Sequence, residues 1–269
     1  MGKTGRTAEA MGFCRLLYQR KDSENMSCLY IVIPAYNEAA NIQTVIRQWY
    51  PIVERIGGES RLVVINDGSR DSTYEKVREL EESCPRLISL DQENRGHGAT
   101  ILRGYRYAVT HGVDYVFQTD SDGQTVPEEF WPLWRDRKNC GLLIGYRKKR
   151  QDGSARVFVT RVLRMVLWFS FGVWTLDANT PFRLMRTKQL REVLDRIPGN
   201  FNLTNVLMTV IYEKFRMGVS YYPITFRPRQ GGVNSINFLK IVKIGCQALK
   251  DFLRLRRKYD IELRSRKNR

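Results

Sequence analysis

Short apolar runs alternate with stretches of helical periodicity through the first half of this 269-residue chain, and this order limits the folds open to it. The apolar runs have the character of buried strands and cover residues 28–34, 61–65, 87–90 and 115–117. The helical stretches lie between them, at residues 38–56, 72–83 and 99–110. Repeated units of this kind predict a doubly wound α/β domain with a mostly parallel central sheet.

Four polar motifs follow the four predicted strands, each at the point where a strand ends. They are P-A-Y-N-E at 34–38, N-D-G-S at 66–69, N-R-G-H-G at 94–98 and D-S-D at 120–122. Ligands of open α/β sheets bind beyond the carboxyl ends of the strands, so the four motifs are expected to share one ligand site. Simpler interpretations stay open for two of them: turn chemistry for 66–68 and a helix cap for Asn37.

Asp120 and Asp122 are the residues of this rim with the clearest chemistry. Side chains two residues apart in an extended chain point the same way, so the two carboxylates are expected to converge. Converging carboxylates repel unless a cation lies between them, and a hard divalent ion that also binds phosphate oxygens suits the position. The interpretation is a Mg²⁺ or Mn²⁺ site for a diphosphate, with a solvated turn as the alternative.

The net charge of the chain indicates what kind of molecule it binds. The chain carries 45 Lys and Arg against 28 Asp and Glu, a formal charge of +17, which predicts a polyanionic partner. Nucleic acid is disfavoured because the sequence contains no helix-turn-helix, zinc-finger or ribonucleoprotein motif.

The five cysteines are scattered without C-x-x-C spacing, which argues for a reducing compartment and against a zinc site or disulfide framework. The length favours one domain with an appendage.

Taken in order, the motifs P-A-Y-N-E, N-D-G-S-x-D-x-T, N-x-G-x-G and D-x-D-G-Q resemble those of the family 2 glycosyltransferases. Within that family they are most similar to the polyprenyl-phosphate sugar transferases of the dolichol-phosphate mannose synthase type. The resemblance implies a GT-A glycosyltransferase domain at residues 28–235, of the hexosyl- or acetylhexosaminyl-transferase type. A basic arm at 1–27 precedes this predicted domain, and a basic amphipathic tail at 236–269 follows it.

The resemblance assigns roles to residues at the rim. The residues that match the nucleobase and ribose pocket are Pro34, Ala35, Tyr36, Glu38 and the base-reading Asp67. Gly96 and Gly98 match positions where glycine lets the nucleotide approach the backbone closely. Asp120 and Asp122 match the metal and diphosphate site, and Gln124 matches a glutamine that helps to complete it.

Three further residues match the acceptor side of the family's site. Arg147 follows the predicted strand at 141–145 in a G-x-R element and is expected to bind phosphate. Asp177 opens a D-x-x-T-x-F-R-L-x-R element, in which Pro181 replaces the usual glycine. Asp177 is the candidate to orient or deprotonate the acceptor, and a helix or turn cap is the alternative. Arg229 matches a phosphate-contacting arginine in a loop that here lacks the family's lysine. The family's E-D base motif is absent, which an already ionised phosphate acceptor tolerates.

Two apolar segments bear on membrane association. Within 156–176, only the twelve residues 165–176 are free of charge, too few to span a bilayer, so a buried or interfacial helix is expected. Core packing and lipid contact are both open for its aromatic residues Trp168, Phe169, Phe171 and Trp174. The tail from Lys240 carries eleven Lys or Arg against three acidic residues around an apolar stripe. This pattern predicts a helix on an anionic membrane surface or, alternatively, one packed on its own domain.

Together these patterns predict an inverting glycosyltransferase that moves a sugar from a UDP- or GDP-sugar to a polyprenyl phosphate, with Mg²⁺ or Mn²⁺ as cofactor. We expect a peripheral protein on the cytoplasmic face of the membrane, with an integral membrane protein as a further candidate partner. The nearer alternative keeps the enzyme class and changes the acceptor to a lipid-linked diphosphosugar or another hydroxyl compound in surface polysaccharide assembly. The more distant one, suggested by charge alone, is a non-catalytic nucleotide- or nucleic-acid-binding protein.

Overall fold

The computed structural model describes residues 27–147, 154–199, 201–228 and 238–267. The described strands are β1 Leu29–Ala35, β2 Arg61–Asp67, β3 Leu87–Gln92, β4 Tyr115–Gln118, β5 Leu142–Arg147, β6 Arg183–Arg186 and β7 Val219–Ile224. The described helices are α1 Ile42–Ile56, α2 Thr73–Glu81, α3 His97–Thr110, α4 Phe130–Arg135, α5 Ser154–Phe171, α6 Thr187–Leu194, α7 Thr204–Lys214 and α8 Phe238–Lys267. A 3₁₀ turn at Pro127–Glu129 precedes α4.

The described strands form one sheet in the order β3-β2-β1-β4-β6-β5-β7. β1 pairs in parallel with β2 and β4, β2 with β3, and β5 with β7. In contrast, β6 runs antiparallel to both β4 and β5. All the described strands other than β6 therefore point the same way, and their carboxyl ends lie along one rim. The predicted mostly parallel α/β sheet is confirmed.

Two hydrophobic layers cover the two faces of the sheet, and β1 contributes to both. Leu29, Ile31 and Ile33 pack in the layer that contains α1 and α2. Tyr30 and Val32 pack in the layer that contains α3, α6 and α7. Alternate residues of a strand point to opposite faces, so a strand covered on both sides is apolar along its length. This explains the continuous apolar run that predicted β1.

The start of α1 differs from the sequence-based prediction. The helix begins at Ile42 and its N-cap position is Asn41, so the alternative interpretation of Asn37 as a helix cap is wrong. Asn37 instead has a left-handed backbone with a φ of 54°. Its side-chain Oδ1 accepts a hydrogen bond from the Arg70 N–H at 2.8 Å. The Asn37 side chain therefore serves the neighbouring loop rather than the helix.

The pattern did not predict β6, a strand of four residues with arginine at both ends. Pairing with β4 and β5 forms this strand, with Arg183 opposite Gln118. Because β6 lies between β4 and β5, the carboxyl ends of those two strands are separated by two strand spacings, about 10 Å. This separation matters below, because Asp120 follows β4 and Arg147 ends β5.

One face of α8 packs on the domain. Phe252, Leu255 and Tyr259 are buried, at the spacing of a single helix face. The Phe252 ring lies 5.4 Å from the Phe171 ring of α5, and the Tyr259 hydroxyl donates to the Arg196 carbonyl at 3.1 Å. The alternative left open for the tail, packing on its own domain, therefore holds for this face. No helix in the described part of the chain is long and apolar enough to cross a bilayer.

Glu213 in α7 gives the fold a pH-dependent stability. Burial raises the pKa of its carboxyl group, and a hydrogen bond that the Tyr221 hydroxyl donates at 3.1 Å opposes the rise. A carboxyl whose pKa is raised on folding binds its proton more tightly in the folded chain. Stability is therefore lost as the pH increases from the ordinary value of 4.5 through the raised value. Glu213→Gln is expected to raise the melting temperature at neutral pH, by about 2–4 °C for each kcal/mol recovered.

Calorimetry of the parent chain and of Glu213→Gln at pH 4.5 and at neutral pH checks this expectation. The gain should be present at neutral pH and shrink at the lower pH. Glu54→Gln, which changes an exposed carboxylate on α1, is the matched control. An unchanged or lower melting temperature of Glu213→Gln at neutral pH would contradict the assignment.

Candidate active site

The loops after β1 and β2 are hydrogen-bonded to each other at the rim of the sheet. The Asn37 N–H donates to Ser69 Oγ at 3.0 Å, and Asn37 Oδ1 accepts from the Arg70 N–H. The left-handed backbone of Asn37 makes this exchange possible, because it turns both the N–H and the side chain toward the second loop. Two of the predicted rim motifs therefore form one unit.

Asp71 strengthens the same contact. Its carboxylate accepts hydrogen bonds from the backbone N–H of Ala39 at 3.2 Å and from the hydroxyl and N–H of Thr73. Burial alone would raise the pKa of Asp71, but these hydrogen bonds outweigh it and hold the pKa below its ordinary value. The Thr73 hydroxyl oxygen in turn accepts from the Glu38 N–H at 2.8 Å. The D-x-T part of the second motif is thus structural and supports the residues predicted to bind the nucleoside.

The residues predicted for the nucleoside pocket lie at the end of β1 and just beyond it. Pro34 and Ala35 are its last two residues and are buried. Tyr36 follows with 43% of its surface exposed, so its ring is available to a ligand at the rim. Glu38 is buried, and its Oε2 accepts from Asn41 Nδ2 at 2.9 Å. Glu38 is therefore held in place by the first turn before α1.

Asp67, the last residue of β2, is buried and holds the glycine-rich loop. Its Oδ1 accepts from Gln92 Nε2 at 2.7 Å and from the Arg95 N–H at 2.9 Å, while its Oδ2 accepts from the Gly96 N–H at 3.0 Å. Gln92 was not singled out by the motifs, although a polar residue that ends an apolar strand is a usable signal. The predicted role of Asp67 in base recognition stays a prediction.

The two glycines of that loop have different surroundings. Gly96 has a φ of 85°, and a methyl group added there meets no atom of the described residues within 4 Å. This open side agrees with the predicted close approach of a nucleotide. A methyl group on Gly98 would instead overlap the Phe201 carbonyl oxygen and lie 2.9 Å from that of Asn202. The close approach at Gly98 is therefore to the chain itself, at the loop that leads into α7.

Asp120 has the chemistry expected of a cation ligand. Its Oδ1 is inaccessible to solvent and has no hydrogen-bond partner among the described residues. The His97 imidazole Nε2 lies 3.9 Å from this oxygen, beyond hydrogen-bonding distance. A buried carboxylate oxygen without a donor is costly unless something outside the chain compensates it. A divalent cation fits this requirement.

Asp122 and Gln124 complete the loop after β4. Asp122 Oδ1 accepts from the Gln124 N–H at 3.1 Å. Gln124 Nε2 donates to the Arg227 carbonyl at 2.9 Å, and the Arg227 N–H donates to the Gln124 carbonyl at 2.8 Å. Gln124 thus ties the loop to the segment after β7, and its predicted part in metal binding stays a prediction.

In the part of the chain that the structure describes, His, Cys, Asp and Glu form no group of three or more that could hold a metal. A metal bound here would take its remaining ligands from substrate and water.

Arg147 and Asp177, predicted separately, are brought together by the fold. Arg147 Nε lies 2.9 Å from Asp177 Oδ2, and Arg147 Nη2 lies 3.2 Å from Oδ1. The side chains are 15% and 5% exposed, so the pair is largely shielded from water. The Arg147 guanidinium also lies over the Phe226 ring, 4.9 Å from its centre. Both oxygens of Asp177 engage Arg147, so the carboxylate orients the guanidinium, and its predicted role in orienting or deprotonating the acceptor stays a prediction.

Arg183 holds the segment that carries Asp177, a role the motif did not indicate. It is fully buried, and burial lowers the pKa of its guanidinium. Its side chain donates to the carbonyl oxygens of Thr180, Ala178 and Asn205 at 2.7–3.1 Å. These bonds join the segment between α5 and β6 to the start of α7. Arginine at this position therefore fixes the backbone of the segment that carries Asp177.

Comparison with known proteins decides the family. The family model described as "Glycosyl transferase family 2" matches residues 30–194, more than half of the chain. The chain belongs to glycosyl transferase family 2. This membership confirms that it is a glycosyltransferase, as the motifs predicted.

Two curated relatives of this family 2 member are lipid-phosphate sugar transferases. The undecaprenyl-phosphate 4-deoxy-4-formamido-L-arabinose transferase of Pseudomonas fluorescens is 22% identical over 220 residues, which are 81% of this chain and 62% of that protein. The UDP-N-acetylglucosamine–dolichyl-phosphate N-acetylglucosaminyltransferase of Methanococcus voltae is 23% identical over 218 residues, 73% of this chain and 84% of that protein. The chain therefore spans less than two thirds of the length of the first relative.

The solved structures establish the fold. Glucosyl-3-phosphoglycerate synthase from Mycobacterium tuberculosis, solved with Mn²⁺ and UDP-glucose, superposes with a TM-score of 0.60 at 19% identity. The match covers 85% of this chain and 79% of that one. The GT-A fold is confirmed. The boundaries of arm, domain and tail and the roles of single residues stay predictions. Arg229 and all but the last residue of the predicted arm at 1–27 lie outside the described residues.

A buried hydrogen bond under the rim was also missed by the motifs of this family 2 chain. The Tyr105 hydroxyl donates to Oε1 of Gln118, the last residue of β4. Burial raises the pKa of Tyr105, with a further rise from the nearby charge of Asp120, so its proton stays on the oxygen at neutral pH. The polar Gln118 at the end of an apolar strand is thereby held in place directly before the Asp120 loop.

Gly98→Ala is expected to lower the free energy of unfolding by about 1–3 kcal/mol, because the added methyl group meets backbone that cannot move aside. Gly96→Ala should cost about 1–3 kcal/mol from the backbone alone, because its φ of 85° and ψ of 154° lie in a region that is essentially restricted to glycine. Urea denaturation of both variants, with nucleotide binding measured alongside, separates packing from ligand access. Loss of binding in Gly98→Ala without loss of stability would show that the packing assignment is wrong.

Proposed function

We propose that this glycosyltransferase moves a sugar from a UDP- or GDP-sugar to a polyprenyl phosphate at the cytoplasmic face of a membrane, with Mg²⁺ or Mn²⁺ as cofactor. The observation that carries the proposal is the placement of two unlike groups at one rim. Asp120, with its unpartnered oxygen, follows β4, and the Arg147 guanidinium ends β5. Their strands, β4 and β5, are two strand spacings apart, about 10 Å, a separation that can accommodate a sugar between a metal-bound diphosphate and an acceptor phosphate.

The curated relatives support the acceptor class. By name, one transfers its sugar to undecaprenyl phosphate and the other to dolichyl phosphate. The formal charge of +17 agrees with anionic substrates and an anionic membrane.

On the donor side, the nucleoside lies against the loops that the Asn37 and Asp71 contacts lock together. Tyr36 offers an exposed ring, and the Glu38 and Asp67 carboxylates accept from base and ribose groups. Asp120, Asp122 and Gln124 hold the metal, which when bound neutralises negative charge on the leaving diphosphate and lowers the barrier by several kcal/mol.

On the acceptor side, Arg147 binds the phosphate oxygen that attacks the anomeric carbon. That oxygen is ionised near neutral pH, so the reaction needs no strong general base, and Asp177 serves to orient Arg147. Arg229 provides a second positive charge in the proposal. Attack from the side opposite the diphosphate gives inversion in a single displacement.

A panel of UDP- and GDP-sugars, each assayed with and without polyprenyl phosphate and with and without Mn²⁺, tests the proposal. We expect radiolabelled sugar to enter the lipid fraction with one donor class only, and only when metal and lipid phosphate are both present. Transfer to a hydroxyl acceptor or a lipid diphosphosugar in place of the lipid phosphate would overturn the proposed acceptor. Hydrolysis or binding without transfer to any acceptor would overturn the proposed reaction.

A further inference from the structure

An exposed apolar surface lies on the side of the molecule formed by α5, the segment after it and the middle of α8. Its seven members, here called the docking face, have large apolar side chains that are 39–69% exposed. They are Met165, Trp168, Phe169, Trp174, Leu176, Leu249 and Leu253. Large apolar groups clustered on a surface in this way mark a binding site for a protein or a membrane.

Contacts between the elements show that these residues form one surface. The Phe171 ring of α5 packs 5.4 Å from the Phe252 ring of α8 beneath it. The Arg256 guanidinium donates to the Phe169 carbonyl at 3.3 Å, which joins the end of α5 to α8. The Arg164 guanidinium donates to the Leu176 carbonyl, which folds the following segment back against α5. The three elements that carry the seven side chains are therefore packed against one another.

Helical spacing separates the docking face from the core. In α5, Met165, Trp168 and Phe169 lie on one side, while Leu167 and Phe171 are buried on the other. The sequence left core packing and lipid contact open for the aromatic residues of this segment. Phe171 packs in the core, whereas the two aromatic residues before it are exposed.

Basic side chains surround the docking face. Arg161 lies one turn before Met165 on α5. Lys250, Arg254 and Arg257 are exposed on α8, next to the apolar members of that helix. Among the acidic residues of α8, Asp260 is neutralised by an ion pair with Lys214 at 2.8 Å, whereas Asp251 accepts only from the neutral Gln247 amide and keeps its charge. Basic groups therefore outnumber unpaired acidic groups at the border of the docking face.

We propose that the docking face binds the surface of an anionic lipid bilayer without spanning it. Tryptophan is enriched at the boundary between lipid headgroups and acyl chains, and basic residues beside it bind anionic headgroups. A second copy of the chain fits less well, because a two-fold contact would place the basic residues around one docking face against the same basic residues of the other. The consequence of this inference rests on the proposed function. Leu176 of the docking face is followed directly by Asp177, which pairs with Arg147. Binding of the docking face therefore brings the proposed acceptor site close to the membrane that holds a polyprenyl phosphate.

Vesicle sedimentation of the full chain tests the inference without any need for turnover. We expect binding to vesicles with about one third phosphatidylglycerol and little binding to neutral phosphatidylcholine vesicles. In about 1 M NaCl, where the screening length falls to about 3 Å, binding should weaken markedly. Brominated lipids should quench tryptophan fluorescence, and Trp168→Phe/Trp174→Phe should remove most of that quenching while keeping the surface apolar.

Two further variants probe the two kinds of contact. Trp168→Ser/Leu253→Ser should weaken vesicle binding by at least about tenfold, through the loss of apolar burial. Arg254→Gln/Arg257→Gln should weaken it by about 30-fold on anionic vesicles only. Matched controls change Ile261, an exposed apolar residue farther along α8, to Ser, and the exposed Arg47 and Arg106 to Gln. The controls should bind vesicles like the parent chain.

Failure of this inference is distinguishable from failure of the proposed function. Vesicle binding that the docking-face variants retain would overturn the inference, whatever the catalytic result. A change in oligomeric state in place of vesicle binding, seen by light scattering, would also overturn it and indicate a second copy as occupant. Vesicle binding lost in the variants supports it even when no sugar transfer is found. If transfer occurs, the variants should lose it with acceptor in vesicles and keep it with a short, water-soluble polyprenyl phosphate.

Discussion

Replacing Asp120 with asparagine is expected to reduce sugar transfer by about 100-fold or more, the usual cost of losing one preorganised electrostatic group at a reacting centre. The substitution keeps the shape of the side chain and removes the negative charge whose Oδ1 has no hydrogen-bond partner among the described residues. It should not destabilise the fold, because a neutral amide costs less to leave without a hydrogen-bond donor than the carboxylate oxygen it replaces. Initial rates at several Mn²⁺ concentrations, together with the melting temperature, check both parts.

Asp114→Asn is the matched control for Asp120→Asn. Asp114 lies just before β4, at the opposite edge of the sheet, where its Oδ2 accepts from the Cys28 N–H at 2.8 Å. An asparagine oxygen can accept the same bond, so transfer should be nearly unchanged. Equal activity of Asp120→Asn and the parent chain, or an activity loss explained by unfolding, would contradict the role given to Asp120.

Removing Arg147 is expected to impair both transfer and stability. In Arg147→Met the Asp177 carboxylate stays buried without the guanidinium that engages both its oxygens. Breaking a buried pair by removing one partner costs about 3–5 kcal/mol, and the partial exposure of Arg147 places this case near the lower end. Transfer to the lipid phosphate should fall by about 100-fold or more, because the acceptor loses a charged hydrogen-bond donor. Urea denaturation and acceptor kinetics measure the two effects.

A second variant separates structure from function at this pair. Arg147→Met/Asp177→Leu removes both charges and should recover most of the lost stability without restoring transfer. The control is Arg186→Met, at the carboxyl end of β6, where the side chain donates a solvent-exposed hydrogen bond to the Lys138 carbonyl. Recovery of transfer in the double variant would show that Arg147 does not bind the acceptor.

The alternation of strands and helices could be predicted because both faces of the sheet are covered. β1 and β2 are continuous apolar runs for that reason, and their ends carry the polar motifs. β6 could not be predicted, because four residues that begin and end with arginine show neither an apolar run nor alternation. Only its neighbours β4 and β5 make it a strand.

The candidate site was predicted residue by residue but not in its contacts. Motif order placed Asp67 and Asp120 at strand ends, where the structure has them. The pairing of Arg147 with Asp177 joins residues thirty positions apart, and no local pattern encodes such a contact. The same limit applies to Gly98, whose neighbour is the backbone before α7. Residues that carry a motif of their own could therefore be placed on the fold, whereas contacts between residues distant in the chain could not.

The chemical structure of the product tests the central claim most directly. Polyprenyl phosphate is incubated with the chain, metal and the accepted nucleotide sugar, and the lipid product is analysed by mass spectrometry and proton NMR. The account predicts a sugar joined to the polyprenol through a single phosphate, with the anomeric configuration opposite to that of the donor. A product with retained configuration, or with the sugar on a hydroxyl group or a diphosphate-linked sugar, would contradict it.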